Sequence, residues 1–171
     1  NALHGPYGED GQIQKILKKY NIKFTHSGYK SSKNCFDKIT TKNIILSKNI
    51  LTPKYTILKT KELNIQKLIN LKKIYKKFVI KPTNSGSSFG VKIIKNFDDL
   101  KRFNQKIETY KNEILHENIL IEEFISGKEL TVATTNFSNN IEALAVTEIE
   151  TKNHFFDYQA KYSKGYSKHI L

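Results

Sequence analysis

Residues 78–91 read FVIKPTNSGSSFGV, and no other stretch constrains the fold of this chain as much. A short apolar run ends in Lys81 and Pro82, a loop of Thr, Asn, Ser and Gly comes next, and Val91 returns the chain to apolar sequence. "FVIK" and "VKIIK" (91–95) read as two strands flanking the loop. A Gly/Ser loop offers successive backbone N–H groups, uncrowded by side chains, to an anion. Lys81 adds a fixed positive charge at the strand end. This is not the P-loop pattern, because no Gly-Lys-Ser/Thr leads into a helix. An ordinary hairpin with small turn residues reads the same way, so the loop alone does not settle its use.

Around this centre, helix and strand signals alternate. Residues 12–20 place Ile13, Ile16, Leu17 and Tyr20 on one helical face and Lys15, Lys18 and Lys19 on the other. Residues 36–49 read as a second helix, and Pro53 marks a break after it. "YTIL" (55–58) is a strand, and residues 61–77 form a Lys-rich amphipathic helix. Leu100, Phe103, Ile107, Tyr110 and Ile114 predict a single helix over 98–115, with an acidic first turn that suits its dipole. Strands are expected at 119–124, 129–135 and 141–149, with turns at Gly127 and at 138–140. The order is an α+β pattern. Both ends read as cut: "NALHG" starts as if leaving a strand, and "YSKGYSKHIL" stops in loop-like sequence.

The net charge of +13 invites a nucleic-acid reading, but its distribution argues otherwise. The first 80 residues hold 17 lysines and 4 acidic residues, so they carry all of the excess. Arg102 is the one arginine, whereas base readout and bidentate phosphate contacts favour arginine. Most lysines therefore read as solvated faces, and no nucleic-acid partner is expected. No apolar run approaches the roughly 20 residues that cross a bilayer, so no membrane partner is expected either. Cys35 is a single cysteine, which permits no internal disulfide and suits the cytoplasm. No Cys/His cluster has zinc spacing, and no metal ligands are assigned within the chain.

Three further stretches carry chemistry. "HGPYGEDG" (4–11) is a second glycine-rich loop with His4, Glu9 and Asp10, leading into a helix. Acidic capping of that helix accounts for Glu9 and Asp10, and less well for the glycines and His4. "ILIEEFISGKEL" (119–130) places Glu122 and Glu123 at a strand end and Glu129 beyond a Ser-Gly turn. "FFDYQAKYSKG" (155–165) gathers aromatics, Asp157 and Lys161; a plain sheet edge reads similarly.

Together these stretches resemble the D-alanine–D-alanine ligases of the ATP-grasp superfamily. The family pattern appears in order as "HGPYGEDG", "DKITTK" (37–42), "KPTNSGSSFG" (81–90), "LIEEFISGKE" (120–129) and "YQAKY" (158–162). The resemblance implies an α+β ATP-grasp fold: residues 1–36 as the tail of an N-terminal α/β domain, 37–121 as the central lobe, and 122–171 as the start of the last lobe. It implies an ADP-forming ligase that joins two D-alanines through an acyl phosphate. Lys38 and Lys81 match the lysines that meet ATP phosphates, with Ser85, Gly86 and Ser88 in the covering loop. The backbone of Glu122, Glu123, Phe124 and Ile125 matches the adenine-reading edge, and Glu129 the ribose carboxylate. Ser87 and Tyr162 match a pair that hydrogen-bonds on closure, with Lys161 reaching the phosphate and His4 and Glu9 lining the substrate side.

The resemblance also implies Mg²⁺ held by residues beyond Leu171, a homodimer at full length, and no turnover by these 171 residues alone. Ser85 stands where the family often has an acidic residue, which leaves the second substrate open; Tyr162 favours an amine nucleophile. The alternatives are another ATP-grasp carboxylate–amine or depsipeptide ligase, or a nucleotide-binding module without turnover.

Overall fold

The computed structural model describes residues 1–137, 140–151, 161 and 163–170. They form two compact units, 1–125 and 126–171. The first contains α1 (Gln12–Lys19), α2 (Tyr29–Phe36), α3 (Lys38–Ser47), β1 (Tyr55–Lys59), α4 (Ile65–Tyr75), β2 (Phe78–Pro82), β3 (Lys92–Ile94), α5 (Phe97–Gln105), α6 (Ile107–Glu113) and β4 (Asn118–Glu123). The second contains β5 (Glu129–Thr135), β6 (Glu142–Thr151) and β7 (Ser167–Ile170). No helix among the described residues is long and apolar enough to cross a membrane.

In the first unit the strands run β1-β4-β2-β3, antiparallel at every pairing. Strand side chains alternate between faces, and the two faces of this sheet have different jobs. On one face Phe78 and Ile80 of β2, Ile119 and Ile121 of β4 and Ile94 of β3 are fully buried. They form one cluster with Leu68 and Leu71 of α4, Leu100 and Phe103 of α5, and Ile107 and Tyr110 of α6. Each large side chain buried there contributes about 1.5–3 kcal/mol. On the other face β2 presents Val79 and Lys81, and β4 presents Leu120 and Glu122. Core packing on one side thus aims two charged side chains out of the opposite side.

Three elements differ from the sequence expectation. The helix expected over 98–115 is two helices, because Lys106 leaves helical geometry (φ −113°, ψ 11°). The break turns Phe103 and Tyr110 edge-on to each other, with ring centroids 5.2 Å apart, so both reach the core. Residues 29–36, assigned no element from the sequence, are helical. Their sequence YKSSKNCF has no apolar stripe to announce it. The C-terminal stretch expected to be loop instead contains β7, paired with β6 from Ser167↔Thr151 to Ile170↔Glu148. Its pairing is backbone-driven, since Ser167, Lys168 and His169 offer no apolar alternation to read. The turn expected at 138–140 lies largely outside the described residues.

Candidate functional site

The site is built on the N-terminus of α3. Asp37 is its N-cap, and its carboxylate accepts a hydrogen bond from the Thr40 N–H at 2.6 Å. Lys38 is the first helical residue. Its backbone N–H donates to the Thr83 carbonyl at 3.0 Å, and its Nζ donates to the Ser85 carbonyl at 2.8 Å. Two bonds therefore dock the helix start onto the Gly/Ser loop. Helical spacing of four puts Lys42 on the same side of α3 as Lys38. Lys42 is buried, and its Nζ meets Glu122 Oε1 at 2.5 Å, Thr52 Oγ1 at 2.7 Å and the Pro53 carbonyl at 3.0 Å. It also lies 4.7 Å from the centre of the Tyr55 ring.

Glu122 is buried in β4, one of the two central strands, and its other carboxylate oxygen pairs with Lys81 of β2. The register places Glu122 opposite Val79, so Lys81 is its diagonal neighbour on the same face. Lys81 keeps about a quarter of its side chain exposed (26%). Three lysines thus gather around Glu122 and Asp37, leaving an excess of one positive charge in a largely dry setting. Burial first, and then the charge of Lys81, push the Lys38 pKa down to about 8 against the opposing pull of Glu122 and Asp37. A net positive charge of this kind attracts an anion.

The loop above the lysines turns through a bond from the Phe89 N–H to the Gly86 carbonyl at 3.0 Å. Ser87 (φ 50°) and Ser88 (φ 58°) both adopt left-handed backbone, a conformation that non-glycine residues rarely hold. The loop also meets the first glycine loop. A Cβ on Gly86 would lie 2.6 Å from Glu9 Oε2, an oxygen that already accepts from the Gly5 N–H at 2.6 Å. His4 Nδ1 lies 3.7 Å from the other Glu9 oxygen. His4, Glu9, Lys38, Ser85 and Gly86 thereby share the wall of one cleft of about 620 Å³. Asp10, by contrast, serves its own loop. It accepts from the Tyr7 and Gln12 N–H groups, and although burial raises its pKa, these bonds hold it below the usual carboxylate value.

The remaining predicted site residues fall elsewhere. The N–H groups of Glu123 and Phe124 already donate to the Lys54 and Lys77 carbonyls, at 2.9 and 3.0 Å. Ile125 comes next and is exposed. Glu129 opens β5 in the second unit and is exposed, as is Lys161. Tyr162 lies outside the described residues. Sequence reasoning missed Lys42 and the carboxylate of Glu122 as members of the site. Lys42 ends the "DKITTK" stretch at i, i+4 from Lys38, but nothing local signalled that Glu122 would face it. Among the described residues there is no group of three His, Cys, Asp or Glu side chains able to hold a metal ion.

The family described as "D-ala D-ala ligase C-terminus" matches residues 44–171. The chain is 44% identical over 174 residues to a D-alanine–D-alanine ligase of Pelagibacter ubique, covering all of this chain and 53% of that protein. Among solved structures, it is similar to a D-alanine–D-alanine ligase from Bacillus anthracis with a TM-score of 0.72 and 34% identity, over 99% of this chain and 52% of that one. A structure of the Bacillus anthracis ligase complexed with ATP matches with a TM-score of 0.69 at 32% identity, over 99% and 51% of the two chains. The chain spans about half the length of the curated relatives it matches.

Proposed function

The chain belongs to the D-alanine–D-alanine ligase family, with the α+β ATP-grasp fold, and from that premise we propose that it carries the ATP-phosphate site of an ADP-forming ligase that joins two D-alanines. The observation that carries this reading is the pair Lys38 and Lys81 beneath the Gly/Ser loop, in a cluster of three lysines and two carboxylates. In such a ligation a carboxylate must approach a polyphosphate, so two anions meet. When bound, ATP supplies the phosphoryl group that activates the carboxylate of one D-alanine for attack by the amine of another. The chain's own residues act by placing charge. Lys81 and Lys38 neutralise phosphate oxygens in a site where screening by water is weak. The loop from Thr83 to Val91 covers them with backbone N–H groups, and Ser85, Gly86, Ser87 and Ser88 leave room for that approach. The Ile125 N–H and its neighbouring carbonyls are the proposed adenine contacts. Glu9 and His4 line the amino-acid side of the cleft.

The same reading assigns Glu129 to the ribose hydroxyls, and Lys161 and Tyr162 to a loop that protects the activated carboxylate from water. It has the enzyme use Mg²⁺, act as a homodimer in the cytoplasm and make a peptidoglycan precursor. Residues 37–121 are proposed as the central lobe, with 1–36 belonging to a preceding domain and 122–171 to the last lobe. The test is ADP release by a protein of the relatives' full length that carries this sequence, with ATP and Mg²⁺, in the presence of D-alanine, D-serine or D-lactate. D-Alanine-dependent release with a dipeptide product is expected. Release that is indifferent to D-alanine would refute the reading, and a preference for D-lactate would move it to depsipeptide synthesis.

A further inference from the structure

Lys42 has no ligand within reach in the proposed chemistry, yet it is the most thoroughly buried cation of the cluster. Its side chain is 5% exposed, and its ammonium group is surrounded by three oxygens, those of Glu122, Thr52 and the Pro53 carbonyl. Burying a lysine this way costs desolvation that the structure must offset, and three oxygen partners with a ring face do so. What Lys42 gains in return is a hold on Glu122. That carboxylate is shared: one oxygen faces Lys42, the other Lys81. Lys42 is pinned by the segment between α3 and β1 and cannot follow a ligand, whereas Lys81 is a quarter exposed.

We propose that Lys42 is a positioning residue for the ATP phosphates, acting through Glu122 on Lys81; this rests on the ATP-site reading above. The effect is a division of charge. Glu122 carries one negative charge, and Lys42 takes up half of its hydrogen-bonding capacity. Lys81 is thereby held at the correct place on β2 but only partly neutralised, and its remaining charge is available to an incoming phosphate. Without Lys42, Glu122 and Lys81 become a simple one-to-one pair. That pair has no net charge, and it draws the Lys81 ammonium towards the sheet.

Lys42→Met keeps the length and apolar volume of the side chain and removes its charge, so it separates packing from electrostatics. The affinities of ATP, inorganic tripolyphosphate and adenosine are measured by calorimetry on a protein of the relatives' full length that carries this sequence. For Lys42→Met the proposal expects ATP and tripolyphosphate to weaken about tenfold or more, and adenosine to change less than about threefold. In a Glu122→Gln background the same substitution is expected to have little further effect on tripolyphosphate, because the group it acts through is gone. Lys42→Gln carries the same expectations if the methionine variant does not fold. Unchanged tripolyphosphate affinity in the folded variant, equal losses for all three ligands, or an undiminished effect in the Glu122→Gln background would each overturn the proposal. Lys81→Met is the control: if wild type binds no ATP, or if Lys81→Met binds it as well as wild type does, the ATP-site reading itself fails and this inference fails with it.

Discussion

Lys38 shows what burial does to one cation of the site. Its pKa of about 8 lies below the ordinary lysine value of 10.5, so the folded chain prefers the neutral amine more than the unfolded chain does. Between about 8 and 10.5 the unfolded state therefore holds more protons, and the contribution of Lys38 to stability rises with pH across that window. The penalty for its charge is fully present below pH 8. A polyphosphate reverses the balance by favouring the ammonium form. Titration of ATP at pH 8.5 is therefore expected to take up a proton, read as a difference in binding heat between buffers of different ionisation enthalpy. Affinity should fall as pH rises through 8, and Lys38→Met should abolish the proton uptake. Gly86 supports a second expectation. Alanine there would put a methyl group 2.6 Å from Glu9 Oε2, so the carboxylate must swing aside and give up its bond from the Gly5 N–H, at a cost of about 0.5–1.5 kcal/mol in urea unfolding. Glu9→Ala should relieve most of that cost, whereas additive losses would mean that the two loops do not meet. Lys38, Lys81 and Gly86 stand in short motifs that draw attention in the sequence, and the structure brings Lys38 against the Gly/Ser loop and Gly86 against Glu9. The pairing of Lys42 with the Glu122 carboxylate was not legible there, because it joins residues far apart in sequence.

The elements present these residues through ordinary helix and strand rules, and α3 is the clearest case. Its Asp37 cap both satisfies a helix N–H and places a negative charge beside Lys38. These two roles can be separated. Asp37→Ala should cost about 1 kcal/mol of stability through the lost cap. Asp37→Asn caps nearly as well and should leave stability almost unchanged. Both substitutions should lower the Lys38 pKa further, which would move the ATP-linked proton uptake to lower pH; the same calorimetric pair of buffers reads it. An asparagine variant as unstable as the alanine variant would show that the charge, not the hydrogen bond, holds the helix start. At this scale, strands with apolar alternation were legible almost to the residue, as in β2 and β5. The break between α5 and α6 was not, since no Gly or Pro marks Lys106 and the helical spacing of apolar residues continues across it. The helix α2 and the strand β7 were missed for the opposite reason: their polar sequences carry no periodic signal, and pairing or packing with neighbours forms them.

For the molecule as a whole, the fold divides labour between the two faces of one antiparallel sheet. The α4–α6 face supplies the apolar burial that holds β2 and β4 rigidly side by side. The opposite face can then keep Lys81 and Glu122 in register and accept α3 against them. A rigid platform of this sort is what charge placement requires, since an electrostatic site loses its advantage if its dipoles must reorganise around the ligand. The strongly basic first half of the sequence reads like a general cation surface; the structure shows that three of its lysines do something different from the rest. The central claim is that these lysines and the Gly/Ser loop form the phosphate site. Its most direct test is a calorimetric titration of a protein of the relatives' full length that carries this sequence, with ATP and with tripolyphosphate near pH 7.5, for wild type and for Lys81→Met. The account predicts saturable binding of both ligands at one shared site, and a loss of about tenfold or more for both in Lys81→Met. Absence of binding by wild type, or an affinity that Lys81→Met leaves unchanged, would contradict it.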